Sequence, residues 1–134
     1  MKPETPRLAV DAAIIAEGEL VLIKRRNPPY QGMWALPGGF VDVGETVEEA
    51  VKREAQEETN LKIKIKKLVG VYSNPERDPR GHTVSLIYLC KKISGKLKPG
   101  DDAKQADWFP LKKTPPLAFD HGRVIQDIQK TLKP

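Results

Sequence analysis

Three glutamates closely spaced in a Gly- and Pro-free stretch, Glu54, Glu57 and Glu58, offer the oxygen donors that a hard divalent cation takes. On a 3.6-residue helix Val47, Ala50, Val51 and Ala55 mark the face turned to a core, and positions 54 and 58 continue that face, with Glu57 one turn from Glu54. Carboxylates aimed inward are costly to leave unpaired. Arg53 reaches Glu57 or Glu49 at four-residue spacing and neutralises part of the cluster. Mg2+, which completes its octahedron with waters and substrate phosphates, is the expected partner for the rest, and Gly38-Gly39 offers a backbone carbonyl as a further ligand. Such a site suits a phosphorylated substrate held through the metal. An E-x-x-E-E run alone more often marks a solvated face laced with i,i+4 pairs than a metal site; the inward phase, the Gly-Gly bend and Glu45 ahead of the helix reverse that preference.

Several elements must position this cluster. Thr46 and Glu49 form a T-x-x-E capping box, and Val47–Thr59 is the helix, with Asn60 as a left-handed terminator. Leu8–Ile15 and Leu20–Ile23 read as a hairpin turning at Glu17-Gly18, and Trp34-Ala35-Leu36 as a short strand before a bend at Pro37-Gly38-Gly39. Strands are expected at 63–72 and 83–91, a loop at 96–104, a strand at 106–109, and a last helix from about Leu117 to Leu132. Strands, helix, strands, helix point to a mixed sheet covered by helices.

The second group of polar residues is cationic. Arg25 and Arg26 end a strand before a Pro-rich loop; if neighbours alternate faces, one points toward phosphates and the other to solvent. Tyr30 in that loop stacks on a base or covers an edge. Arg77, Asp78, Arg80 and His82 gather around the loop after Tyr72. His82 reads as structural, His121 as a contact near the start of the last helix, Trp34, Phe109 and Phe119 as core, and Cys90 as a buried strand residue.

The net charge is +5, yet residues 42–58 carry seven acids against two bases, an acidic knot in a basic body. That pattern suits metal cations and a phosphorylated small molecule, whereas nucleic acid favours a continuous basic stripe. The 134 residues suit a single domain, with 1–6 as an unpatterned arm. A lone cysteine and an N-terminus without an apolar core fit a cytoplasmic protein, and no run approaches a membrane span.

Gly39, Glu45, Arg53-Glu54-Ala55, Glu57-Glu58 and Asn60-Leu61, at these spacings over 23 positions, resemble the Nudix box. Asn60 stands where the family usually has Gly; Asn tolerates the left-handed conformation, so no chemical group is lost. The resemblance extends from Trp34-Ala35-Leu36-Pro37-Gly38 to Trp108-Phe109-Pro110-Leu111. It implies an α/β/α sandwich and hydrolysis of a nucleoside diphosphate linked to another moiety. It further implies that Glu54 and Glu58, with Glu57, bind Mg2+ or Mn2+, that the Gly38 carbonyl joins them, and that Arg53 orients the glutamates, with Glu45 a structural partner.

The implied hydrolysis needs a metal-activated water and a general base within hydrogen-bond reach of it. Glu57 is one candidate, and Asp101 or Asp102 is another because relatives often place an acid on the loop ahead of the final strand, whereas Gln105, where relatives frequently show Glu, cannot serve. The stretch YSNPERDPRGHTVSLIY, including Pro75, and PPLAFDH at 115–121 resemble the ADP-ribose pyrophosphatase branch. That implies a nucleotide-sugar substrate contacted by Arg25, Arg26, Tyr30, Arg77 and Arg80, giving AMP and ribose 5-phosphate. Diadenosine polyphosphates or oxidised nucleoside triphosphates are alternative substrates. A sensor that binds ADP-ribose without cleaving it is another alternative, which the intact glutamates and the lack of a DNA-binding segment after residue 134 oppose. The residues do not encode an oligomeric state legibly; relatives often dimerise through sheet edges or the N-terminal arm, so the resemblance allows a homodimer.

Overall fold

A computed structural model describes residues 4–100 and 103–133. The apolar, alternating segments pair as read: β1 (Arg7–Ala16) turns through Glu17 and Gly18 into β2 (Glu19–Arg25), with Ile15 opposite Leu20. Beyond the hairpin end, β1 runs parallel to β6 (Thr83–Ser94) from Arg7↔Thr83 to Ile14↔Cys90. β5 (Lys62–Tyr72) is antiparallel to β6, and β2 pairs with β3 (Trp34–Ala35) and β7 (Ala103–Pro110). A mixed sheet in the order β3-β2-β1-β6-β5 results, with β4 (Gly38–Phe40) added beside β1.

Strand alternation divides the core between two helices. Val10, Ala12 and Ile14 of β1 and Tyr88 and Cys90 of β6 pack with Ala50, Val51 and Ala55 of α1 (Val47–Thr59). Ala13 and Ile87, on the opposite face, pack with Val124, Ile125 and Ile128 of α2 (His121–Leu132). The expected α/β/α sandwich is therefore present. Among the described residues no helix is long and apolar enough to cross a membrane.

The capping box at Thr46 and Glu49 is complete in both directions, and Asn60 closes α1 at φ 64°. Three expectations change. The bend is confined to Pro37: Gly38 and Gly39 are strand residues opposite Asp11 and Val10. The loop expected to run to Lys104 ends earlier, because β7 starts at Ala103 to complete its ladder with Arg25. The last helix starts at His121 rather than Leu117, since Leu117 bridges to Trp34 and Phe119 takes a positive φ of 54°.

Candidate active site

Glycine at 38 and 39 opens the space that the site uses. A Cβ on Gly38 would lie 2.2 Å from Asp11 Oδ1 and from the Val10 carbonyl, and one on Gly39 2.6 Å from the Glu54 carboxylate. Neither position tolerates a side chain without displacing backbone or an acid. Beside them opens a cleft of about 380 Å³, within the range of small-molecule sites. Glu54, Glu58, Gly38, Gly39 and Asp42 line one wall, and Arg25, Arg77, Arg80, Phe119 and His121 contribute the other.

The acidic wall is braced by Arg53. Its Nε donates to Glu45 Oε2 (2.7 Å) and its Nη2 to Glu45 Oε1 (2.9 Å) and the Phe40 carbonyl (3.1 Å), while Nη1 donates to Glu54 Oε1 (2.7 Å) and Glu57 Oε1 (3.0 Å). One guanidinium thus ties β4 to α1 and fixes the Glu54 carboxylate. Its hydrogen bonds hold the Glu45 carboxyl well below the usual range, to about 2, and Glu45 in turn raises the pKa of Arg53. Glu58 accepts from the Gly38 N–H at 3.4 Å and is 7% exposed. Glu57 departs from the expected inward trio: its side chain is 46% exposed, it lies outside the cleft lining, and Arg53 holds it at the rim. Among the described residues no three acid, His or Cys side chains are gathered into a metal-holding group. Two recessed carboxylates next to a glycine carbonyl nevertheless fit a hard cation that keeps most of its shell for water and substrate oxygens.

The opposite wall comes from segments distant in sequence. Of the Arg25-Arg26 pair, Arg25 lines the cleft, whereas Arg26 is exposed, outside the lining, with Nη2 3.4 Å from the Ala103 carbonyl. Arg77 is nearly buried and spends its fork on Asp120 (2.9 and 2.7 Å), with Nη1 donating to Ser85 Oγ (2.7 Å). Burial works against both charges, but the bidentate pair outweighs it: Asp120 is lowered and Arg77 raised. Buried Asp78 grips Arg80 through Nε and Nη2 and its backbone N–H. Tyr30 lies just outside the lining and meets Phe119, which does line it, edge to face at 4.8 Å. Asp101 and Asp102 lie outside the described residues.

Sequence reasoning missed the floor of the cleft. Asp11 is buried there and burial raises its pKa to about 7; an acid inside the apolar run LAVDAAII was the available signal. His121 accepts the Leu36 N–H at Nδ1 (3.1 Å), which leaves its proton on Nε2, 3.7 Å from Asp11 Oδ2. Burial lowers the His121 pKa to about 4, so the imidazole is neutral at pH 7. Phe119, read as a core residue, does pack against the cluster of Ile23, Ala35, Ala103 and Ala118, and it also lines the cleft, a role the PPLAFDH segment marked by resemblance only.

Residues 5–128 match the family described as NUDIX domain. An ADP-ribose pyrophosphatase of Methanocaldococcus jannaschii is 54% identical over 125 residues, spanning 93% of this chain and 74% of that protein. The NUDIX domain of Shewanella oneidensis NrtR, solved with ADP ribose, superposes with a TM-score of 0.84 at 29% identity, covering 97% of this chain and 90% of that one. A bifunctional NMN adenylyltransferase/ADP ribose pyrophosphatase of Francisella tularensis, solved with AMP and a Mn ion, gives a TM-score of 0.84 at 27% identity and covers 98% of this chain but 43% of its own.

Proposed function

The chain belongs to the Nudix family, and from that premise we propose that it hydrolyses the diphosphate of ADP-ribose to AMP and ribose 5-phosphate, as a single domain using Mg2+. The observation that carries this is the pairing of charges in one cleft: recessed Glu54 and Glu58 beside side-chain-free Gly38 and Gly39, in the same lining as Arg25 and Arg80. A diphosphate needs both, acids to hold cations and guanidinium groups to bind phosphoryl oxygens directly.

Glu54, Glu58 and the Gly38 carbonyl would hold the metal, with Glu57 joining from the rim. When bound, the metal lowers the pKa of the attacking water and neutralises phosphate charge. Arg53 keeps the Glu54 and Glu57 carboxylates aimed, as Glu45 keeps Arg53 aimed. Arg25 and Arg80 bind phosphoryl oxygens, Arg77 stiffens their wall through Asp120, and Tyr30 and Arg26 would meet the substrate from outside the lining. Glu57 and Asp102 are the alternatives for taking the proton from water, and comparing the pH–rate profiles of Glu57→Gln and Asp102→Asn decides between them.

Incubation with ADP-ribose and Mg2+ should yield AMP and ribose 5-phosphate in equal amounts, and chelation should abolish the reaction. No turnover with Mg2+ or Mn2+ refutes the activity. The likeness to the NrtR domain supports a second reading, binding of ADP-ribose without cleavage, which tight binding with no product would favour. Buried Cys90 suits a cytoplasmic location, and light scattering tests for a homodimer.

A further inference from the structure

Glu57 and Glu58 sit where a helix is weakest. Glu58 is the last residue but one of α1, and the carbonyls of a helix's final turn have no partner within the helix, so such ends fray. No basic side chain lies in that turn to cover them. Glu58 is nonetheless recessed beside the Gly38 N–H, at 7% exposure, which holds only while this end stays closed.

A strap of backbone, residues 95–100 between β6 and β7, closes it. The Lys98 N–H donates to the Thr59 carbonyl (2.9 Å) and the Gly100 N–H to the Glu58 carbonyl (3.0 Å), which supplies two of the missing partners. The approach is backbone against backbone: a Cβ on Gly100 would overlap the Glu57 carbonyl oxygen, and one on Gly95 the carbonyl oxygen of Asn60. Leu97, between these glycines in sequence, packs on the core cluster that includes Ala50, Val51 and Ala55 of α1. The strap also leads to the other wall of the cleft. The Gly100 carbonyl accepts the Ala103 N–H (3.2 Å), and Ala103 stands opposite Arg25 in the sheet.

Asn60 fastens the strap. At φ 64° it ends α1 in the left-handed conformation, a task for which glycine serves at least as well. Its side chain adds what glycine lacks: Nδ2 donates to the Lys96 carbonyl at 2.9 Å. The departure from the usual family residue therefore supplies a bond between the end of α1 and the strap.

We propose that Asn60 is a positioning residue: its amide latches the strap over the end of α1 and so holds Glu57 and Glu58 in place relative to Arg25. The catalytic consequence rests on the reading of Glu58 as a metal ligand. Asn60→Gly keeps the left-handed turn and removes the latch, and Asn60→Asp keeps the shape but has no N–H to donate. In both, amide hydrogen exchange should accelerate about fivefold at Lys98, Gly100, Glu58 and Thr59, with the β1 amides unchanged. With ADP-ribose, kcat should fall about threefold to fivefold in both variants, as expected when a carboxylate loses its support. In Asn60→Gly the Mg2+ concentration for half-maximal rate should also rise. Its thermal midpoint should stay at the wild-type value, since glycine relieves the left-handed backbone as the bond is lost. A role in stability alone would lower that midpoint and leave the Mg2+ dependence where it is. Unchanged exchange at the strap or at Glu58 and Thr59 overturns the proposal, and so does faster exchange with kcat and Mg2+ dependence untouched. A wild type that turns over no ADP-ribose breaks the activity, while exchange at Glu58 and Thr59, measured without substrate or metal, still decides the latch.

Discussion

The two walls of the cleft are built in opposite ways. The acidic wall is nearly continuous in sequence: Asp42, Glu45, Arg53, Glu54 and Glu58 fall within 17 residues, on or just before one capped helix. The cationic and aromatic wall draws Arg25 from the end of β2, Arg77 and Arg80 from the β5–β6 loop, Phe119 from the segment before α2 and His121 from its first residue. A helix fixes side-chain directions by its period, so the first wall needs only local geometry. The second is held by pairs between loops, above all Arg77 with Asp120 and His121 with Leu36, so its geometry depends on the whole fold. Chemistry concentrates on the first wall, and on this contrast selectivity belongs to the second.

The contrast breaks most sharply at Glu58. Glu58→Gln should lower kcat on the order of 10³-fold with the fold intact, since it removes the charge of one of the two recessed carboxylates proposed to hold the metal; unchanged kcat in a folded variant would remove the metal role from the acidic wall. For the loop-built wall the largest effect is on stability. His121 is held neutral, with its pKa lowered to about 4 from 6.5, so its contribution is complete above pH 6.5 and is lost as pH falls toward 4. Roughly 3 kcal/mol should disappear over that window. Denaturant melts of wild type and His121→Asn should therefore converge as the pH falls, and parallel curves would contradict the buried neutral imidazole.

Smaller effects sharpen the same comparison. Arg53→Lys keeps the charge but loses the fork that serves Glu45, Glu54 and Glu57 together, and about tenfold in kcat should be lost with KM little changed. Thr46→Ala removes the capping bond to the Glu49 N–H and should cost about 1 kcal/mol in thermal or denaturant stability while leaving kcat unchanged. Were that substitution to lower kcat as Arg53→Lys does, α1 would be ordered by its cap rather than by the guanidinium bridge to β4.

Much of this was legible in the residues themselves. The T-x-x-E box, the apolar phase of Val47, Ala50, Val51 and Ala55 and the left-handed Asn60 set out α1 and turned Glu54 and Glu58 inward, because capping and periodicity act over a few residues. The same local rules gave the β1–β2 hairpin and the layer order. They went wrong at Glu57, whose direction depends on a bond to Arg53, and at Gly38 and Gly39, whose role comes from Asp11 and Glu54 rather than from a bend. Only the tertiary structure decided that Arg25 and not Arg26 faces the cleft, that Asp11 and His121 form its floor, and that Phe119, packed on the core, also lines it. Those placements follow from contacts between segments tens of residues apart, for which neighbouring residues carry no periodic signal.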